Sequence, residues 1–237
     1  MPATPPVCAA VIVGAGSSSR FGGDKLTAIL AGRPMLAWSL RAFARTAAIS
    51  EIVLVAPRER VDEFEAIAYA ERIAKLKKVV AGADHRHESV LMGIKALGNM
   101  VRMVAIHDAA RPLVTTSLID LCIQKANKYG AAAAAVPVID TLHLADSEGC
   151  AIQTVDRDGL WAMQTPQVFS LQLITELITN SIQAGINPTD EVSVAVSAGL
   201  RIPFVNSPFP NPKITWPADI EIAEALMTIR GEHNLFD

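Results

Sequence analysis

Cysteine is scarce: Cys8, Cys122 and Cys150 are the only three in 237 residues. No two stand close enough for a Cys-x-x-Cys pair, and an odd number suits a reducing compartment better than a disulfide framework. A basic excess is also missing. The formal net charge of −3 argues against a nucleic-acid binder that relies on a broad cationic surface. Any anionic ligand must then be met by a few placed cations. Long apolar runs are absent too; Ala131 to Val138 is the longest, far below the ~20 residues of a membrane helix. Met1 to Pro6 carries no basic region followed by an apolar stretch, so neither a signal peptide nor a transit peptide is expected. These absences together predict a cytoplasmic protein with no membrane and no nucleic-acid partner. Familiar catalytic signatures are lacking as well, with no nucleophile elbow and no Cys/His dyad. His85 and His87 lie beside Asp84 and Glu88, but no third ligand stands nearby, so no metal held by protein side chains is expected there.

What is present is a large apolar fraction, 51%, enough for a substantial core. Short apolar runs alternate with amphipathic stretches. Strands are predicted at Cys8–Val13, Ile52–Val55, Lys78–Val80 and Met103–Ile106. Helices are predicted after Pro34, over Val61–Leu76, after a Ser89 cap, and over Leu118–Tyr129. The last is opened by Thr115, Thr116 or Ser117 and stopped by Gly130. This alternation implies an α/β fold with a mainly parallel sheet covered on both faces. Ligands of such sheets sit beyond the carboxyl ends of the strands. The pattern breaks at 139–160, where Thr141–Leu144 and Ala151–Val155 flank a turn-rich segment. We read a β-arm inserted into a single domain spanning 1–237, with a partner chain as its natural cover. Helices near Leu171–Ala184 and Asp190–Ala198, strands at Arg201–Val205 and Lys213–Thr215, and a helix after Pro217 complete the chain.

Four segments carry candidate chemistry. Gly14 to Lys25 follows a strand, and its glycines let backbone N–H groups approach phosphate oxygens. Arg20 and Lys25 add cations suited to a polyphosphate. It is not a dinucleotide fingerprint, since Ser19 stands where glycine is needed and Ala56-Pro57 replaces the acid after the second strand. Nor is it a P-loop, because Lys25 follows Asp24 and precedes Leu26. His107 to Pro112 ends a strand; Asp108 suits a Mg²⁺ shell or a sugar hydroxyl, Arg111 a phosphate, or the two simply pair. Arg157 lies just past the arm, in reach of a neighbouring subunit. Thr189-Asp190-Glu191 reads first as a helix start, and Lys213 follows prolines that could hold its ammonium toward a cleft.

In this order the segments resemble the 2-C-methyl-D-erythritol 4-phosphate cytidylyltransferase family. Gly82 with Arg86 and Ser89, Asp140-Thr141, Thr154 to Trp161, Thr165-Pro166-Gln167 and Lys213-Ile214-Thr215 complete the resemblance. It implies a Rossmann-like nucleotidyltransferase fold, a homodimer built on the β-arm, CTP as co-substrate, and Mg²⁺ carried mainly by the CTP phosphates. It implies Arg20 and Lys25 as transition-state stabilisers, with Arg157 and Lys213 positioning the methylerythritol phosphate. Ala15, Gly16, Gly82, Asp84, Ser89 and Ala109 fall in its CTP segments. Asp108, Arg111, Thr141 and Thr189 match its acceptor pocket, partly across the dimer interface. The chain departs from the pattern at Ser18, at Phe21, at Asp24 and Leu26 around the lysine, and at Trp216. A cytidylyltransferase for another polyol phosphate, such as ribitol 5-phosphate, is the nearest alternative. A nicotinamide oxidoreductase and a silent nucleotide-binding regulator are more distant ones.

Overall fold

The computed structural model describes residues 7–16, 20–207 and 209–231. Ser17, Ser18 and Ser19 of the glycine loop lie outside the described residues. The chain opens with β1 (Cys8–Val13), a small hairpin of β2 (Ile29–Leu30) and β3 (Arg33–Pro34), α1 (Met35–Arg45) and β4 (Ile49–Ala56). A short 3₁₀ turn, Arg58–Arg60, leads into α2 (Val61–Ala70), β5 (Leu76–Ala81), α3 (Arg86–Lys95), β6 (Met103–Asp108) and α4 (Thr116–Tyr129). Then come β7 (Ala131–Pro137), β8 (Leu142–Ala145), β9 (Ala151–Val155) and β10 (Trp161–Ser170). The chain ends with α5 (Leu171–Gln183), α6 (Glu191–Ser197), β11 (Phe204–Val205) and α7 (Asp219–Arg230).

A seven-stranded sheet in the order β11-β7-β10-β6-β1-β4-β5 forms the centre. β1 runs parallel to β4 and to β6, and β4 parallel to β5. β10 is antiparallel to both its neighbours, β6 and β7. The period-2 pattern of the strands divides the core. Ala10, Ile12 and Leu54 pack with α1, α2 and α4 through Leu36, Phe43, Phe64 and Ile119. Val11, Val55, Val104 and Ile106 pack on the other face with α3, α5 and α6 through Val90, Ile94, Ile174 and Val192. From β1 the chain builds outward to β5, then returns to place β6 on the other side of β1. The carboxyl ends of β1 and β6 therefore border a topological switch point, the usual crevice of such sheets.

Several local expectations are corrected. The helix from Val61 stops at Ala70, not Leu76. Arg72 takes a left-handed conformation, φ 52°, while Ile73 N–H donates to Ala68 O and Arg72 N–H to Tyr69 O. That is a Schellman stop with arginine where glycine usually stands. α3 begins before Ser89, which lies within it; the Ser89 hydroxyl instead accepts from Ala83 N–H at 2.9 Å and donates to Ala83 O at 3.1 Å. Lys213–Thr215 is not a strand; Ile214 docks by one backbone bond to Ala110 O, 2.8 Å. β7 and β10 were not anticipated. Alanine is a weak strand former, and the Ala131–Ala135 run becomes a strand because it is buried between β10 and β11. The α4 termini follow expectation: Thr115 Oγ1 accepts from Leu118 N–H, and Gly130 closes the helix at φ 85°.

Gly93 lets α3 lie close on the sheet. A Cβ there would sit 2.5 Å from Val11 Cγ1 and 2.9 Å from Val55 Cγ2, both core atoms. Gly93→Ala should therefore destabilise the fold by about 1–3 kcal/mol despite alanine's better helix propensity. Urea denaturation reads the effect; an unchanged or raised midpoint contradicts the close approach.

Candidate active site

The carboxyl ends of β1, β4, β5 and β6 open into one cleft of about 1040 Å³. Gly14 to Gly16 and Gly23 to Leu26 form one wall, Arg58 to Arg60 a second, Gly82 to Arg86 a third, and Asp108, Ala110 and Lys213 the floor toward β6. Small residues keep the backbones close. A Cβ on Gly82 would meet Ala15 Cβ at 2.5 Å and Ser89 Oγ at 2.9 Å, so glycine is required where this loop touches the loop after β1.

Basic groups converge on the cleft. Lys25 Nζ donates to Ile214 O at 3.2 Å, tying the glycine loop to the segment that carries Lys213. Burial, then the neighbouring Lys213 ammonium, lowers the Lys25 pKa. Lys213 Nζ donates to Asp108 Oδ2 at 2.7 Å. Arg86 holds the other oxygen through Nε at 3.2 Å and Nη2 at 3.0 Å. Burial works to raise the Asp108 pKa, but Arg86 and then Lys213 outweigh it and hold the carboxyl well below its usual range. The Arg86 guanidinium also reaches buried Glu191 at 2.7 and 3.0 Å.

The backbone that presents Asp108 is fixed by a buried histidine. His107 Nε2 faces Arg111 O at 3.3 Å, a pure acceptor, so Nε2 carries the proton. Nδ1 then accepts from the Thr165 hydroxyl at 2.9 Å. Thr165 Oγ1 in turn accepts from Asp108 N–H at 3.1 Å. Buried Ser39 donates to Ala109 O at 3.1 Å and lies 3.3 Å from Arg111 O, pinning the same turn.

The structure brings together some predicted residues and separates others. Ala15, Gly16, Lys25, Gly82, Asp84, Ser89, Asp108 and Lys213 line the cleft. Ala109 is fully buried, with its N–H donating to Val13 O. Arg111 donates to Asn211 O at 2.7 Å and to Met163 O at 3.2 Å. It therefore braces the turn and β10, rather than pairing with Asp108. Arg20 is exposed, yet near enough for its charge to reach Lys25. Thr141 and Arg157 are exposed on the β8–β9 arm, where Arg157 donates to Ile139 O. Thr189 is exposed before α6 and faces Ser193 Oγ at 3.5 Å. Sequence reading did not single out Arg58 or Arg60, because a cation after a strand carries no motif. It read Glu191 only as part of a helix start.

A glycine-rich loop and a cleft with placed cations, at the switch point of a mostly parallel sheet, define the class: a Rossmann-like nucleotidyltransferase. The family description "IspD: 2-C-methyl-D-erythritol 4-phosphate cytidylyltransferase" matches residues 8–229, and the chain belongs to that family. The 2-C-methyl-D-erythritol 4-phosphate cytidylyltransferase of Desulforamulus reducens is 39% identical over 225 residues, covering 94% of this chain and 96% of the relative. That of Caldanaerobacter subterraneus subsp. tengcongensis is 38% identical over 221 residues, covering 92% and 97%. Among solved structures, the 4-diphosphocytidyl-2C-methyl-D-erythritol synthase of Anaerococcus prevotii superposes with a TM-score of 0.82 at 26% identity, covering 94% and 97%.

Burial pushes the His107 imidazole down to about 3, against the pull of Asp108. The unfolded chain takes up this proton near pH 6.5, the folded chain not until far lower, so stability is present above about 6.5 and falls as pH drops toward 3. Wild-type stability should decline through this window, with His107 supplying a slope approaching 1.4 kcal/mol per pH unit. His107→Gln should be less stable at pH 7 but flatter between pH 6.5 and 4. Urea melts across that range check it; parallel profiles for the two proteins refute the assignment.

Proposed function

We propose that the chain transfers CMP from CTP to 2-C-methyl-D-erythritol 4-phosphate, releasing pyrophosphate and forming 4-diphosphocytidyl-2-C-methyl-D-erythritol for isoprenoid precursor synthesis. Beside the family membership, the observation that carries this reading is the paired placement of Lys25 and Lys213. They sit on different segments of one cleft, linked through the Ile214 carbonyl.

The acceptor is a phosphate monoester with a second pKa of about 6, so it is a dianion at neutral pH. One of its oxygens attacks the α-phosphorus of CTP in line. A new P–O bond forms, the bond to the β-phosphate bridge breaks, and its electron pair leaves with pyrophosphate. No general base is needed for this attack. The barrier is repulsion between anions, and placed cations lower it. Arg20 and Lys25 face the triphosphate and the charge that develops there. Lys213 and Arg157 hold the acceptor phosphate. Ala15, Gly16, Gly82, Asp84 and Ser89 cradle CTP, while Ala109 and Arg111 act by holding the turn that presents Asp108. Asp108 and Thr189 serve the acceptor hydroxyls, with Thr141 reaching in from the arm.

Among the described residues no three His, Cys, Asp or Glu side chains gather as a metal cage. Both Asp108 oxygens are already engaged. We assign Mg²⁺ to the CTP phosphates, as the family resemblance implies, where it would neutralise charge. The arm exposes Ile139, Leu144 and Ile152, at 79%, 51% and 65%. That apolar surface supports a homodimer in which Arg157 and Thr141 complete a partner's site. We read one domain bearing this arm, and a cytoplasmic location; no helix among the described residues is long and apolar enough to cross a membrane. The family membership favours methylerythritol phosphate over ribitol 5-phosphate.

Purified protein with Mg²⁺ and a panel of nucleotides and polyol phosphates should release pyrophosphate only with CTP plus 2-C-methyl-D-erythritol 4-phosphate. Turnover with ribitol 5-phosphate instead transfers the assignment to that acceptor. Lys25→Ala or Arg20→Ala should lower kcat by about 100-fold or more, with much smaller changes in CTP affinity by calorimetry. Equal losses in both quantities, or unchanged turnover, overturn the roles of this pair.

A further inference from the structure

Glu191 is the least exposed charged side chain of the cleft region, at 1%. It opens α6, but the helix does not need it there. Asp190 caps the helix by accepting from Ser193 N–H at 2.8 Å, and its other oxygen accepts from Gln167 Nε2 at 2.8 Å. Burying a second carboxylate beside that cap is costly unless a partner compensates it. The partner is Arg86, met through both Glu191 oxygens. Arg86 turns its remaining donors to Asp108, and Asp108 turns its second oxygen to Lys213. The result is a row of alternating charge, Glu191, Arg86, Asp108, Lys213, that starts in the core and ends at the cleft.

We infer that Glu191 is a positioning residue for acceptor binding, acting through Arg86 and Asp108 to set where the Lys213 ammonium stands. This rests on the reading of Lys213 as a cation of the acceptor phosphate. The geometry explains the direction of the effect. With Glu191 in place, the Arg86 fork is divided: Nη1 goes to Glu191, and Nε and Nη2 go to one oxygen of Asp108. The second Asp108 oxygen is left for Lys213. Without the Glu191 charge, Arg86 has one anion left to satisfy it. It then draws both Asp108 oxygens into a bidentate pair, the preferred carboxylate geometry of arginine. Lys213 loses its fixed partner and the acceptor phosphate meets a displaced cation. Burial works to lower the Arg86 pKa, but Glu191 and then Asp108 outweigh it; burial raises the Glu191 pKa, and the Arg86 guanidinium opposes that rise.

The test is a double-mutant cycle with Glu191→Gln and Lys213→Ala, read as KM for the acceptor, kcat, and CTP affinity by calorimetry. Glu191→Gln should raise the acceptor KM by about 10-fold, the value of one charged hydrogen bond, with CTP affinity within about 3-fold. The double variant should bind the acceptor no worse than Lys213→Ala, because both act through one ammonium. Glu191→Asp, which keeps the charge, should recover part of the loss. Additive effects, or an unchanged acceptor KM in Glu191→Gln beside a raised one in Lys213→Ala, overturn the inference. A normal acceptor KM in Lys213→Ala instead overturns the role of Lys213. If Glu191→Gln does not fold by circular dichroism, the cycle is run with Glu191→Asp, whose shorter reach should give a smaller rise in acceptor KM that disappears in the Lys213→Ala background; no rise, or one that persists there, overturns the inference.

Discussion

Two anions have to meet in a protein whose own formal charge is −3. Every other feature of the cleft follows from that. Net charge cannot draw the reactants in, so a small number of cations must stand where the reacting phosphates come together. Long, flexible lysine and arginine side chains do not hold a position unless something fixes them. Here the fixing is done by oxygen atoms. Lys25 is held by a backbone carbonyl, Lys213 by Asp108, and Arg86 by Asp108 and Glu191. The acids of the cleft are thus the means by which its bases are placed. An acidic overall balance and an anion-binding function are compatible for this reason.

The scaffold makes the placement rigid. β1 and β6 are neighbouring parallel strands in register, with Val13 beside Asp108, so the loops that follow them start from one edge. His107, the residue before Asp108, points into the opposite layer against Phe43, ring centroids 4.9 Å apart. Strand alternation therefore sends one side chain to the core and the next to the cleft. The neutral imidazole then fixes Thr165, and Thr165 fixes the Asp108 backbone. A residue with no contact to the cleft controls the geometry of one that lines it.

The alternation of apolar runs and helices made the parallel half of the sheet legible from sequence, along with the edge where ligands bind. The antiparallel half was not. β7 is mostly alanine and β10 contains Thr165-Pro166, neither of which carries a local strand signal. Their strand character comes from pairing between residues distant in sequence. Site residues divide in the same way. Gly82, Ser89, Lys25 and Lys213 stand in recognisable segments and line the cleft. Arg111 stands in the His107–Pro112 segment, which the resemblance places at the acceptor. Only the tertiary structure shows Asn211 O and Met163 O waiting for it. Glu191 was hidden by a good local explanation. A Thr-Asp-Glu helix start accounts for all three residue types, and nothing in the local pattern says that Asp190 does the capping alone.

The glycine loop is anchored in the same way. Asp24 puts a negative charge next to Lys25. In the structure Asp24 pairs with Arg60 and accepts from Thr27. Arg60 is in turn held by Glu63 at 2.8 Å and lies over the Phe64 ring, 5.0 Å from its centroid. That acid is matched by a base from the wall after β4. Burial comes first among the influences on Lys25, then the charges of Lys213, Asp108, Arg20 and Asp219. Asp24 ties the loop to the cleft wall through Arg60, so the acid beside Lys25 is itself balanced by a base.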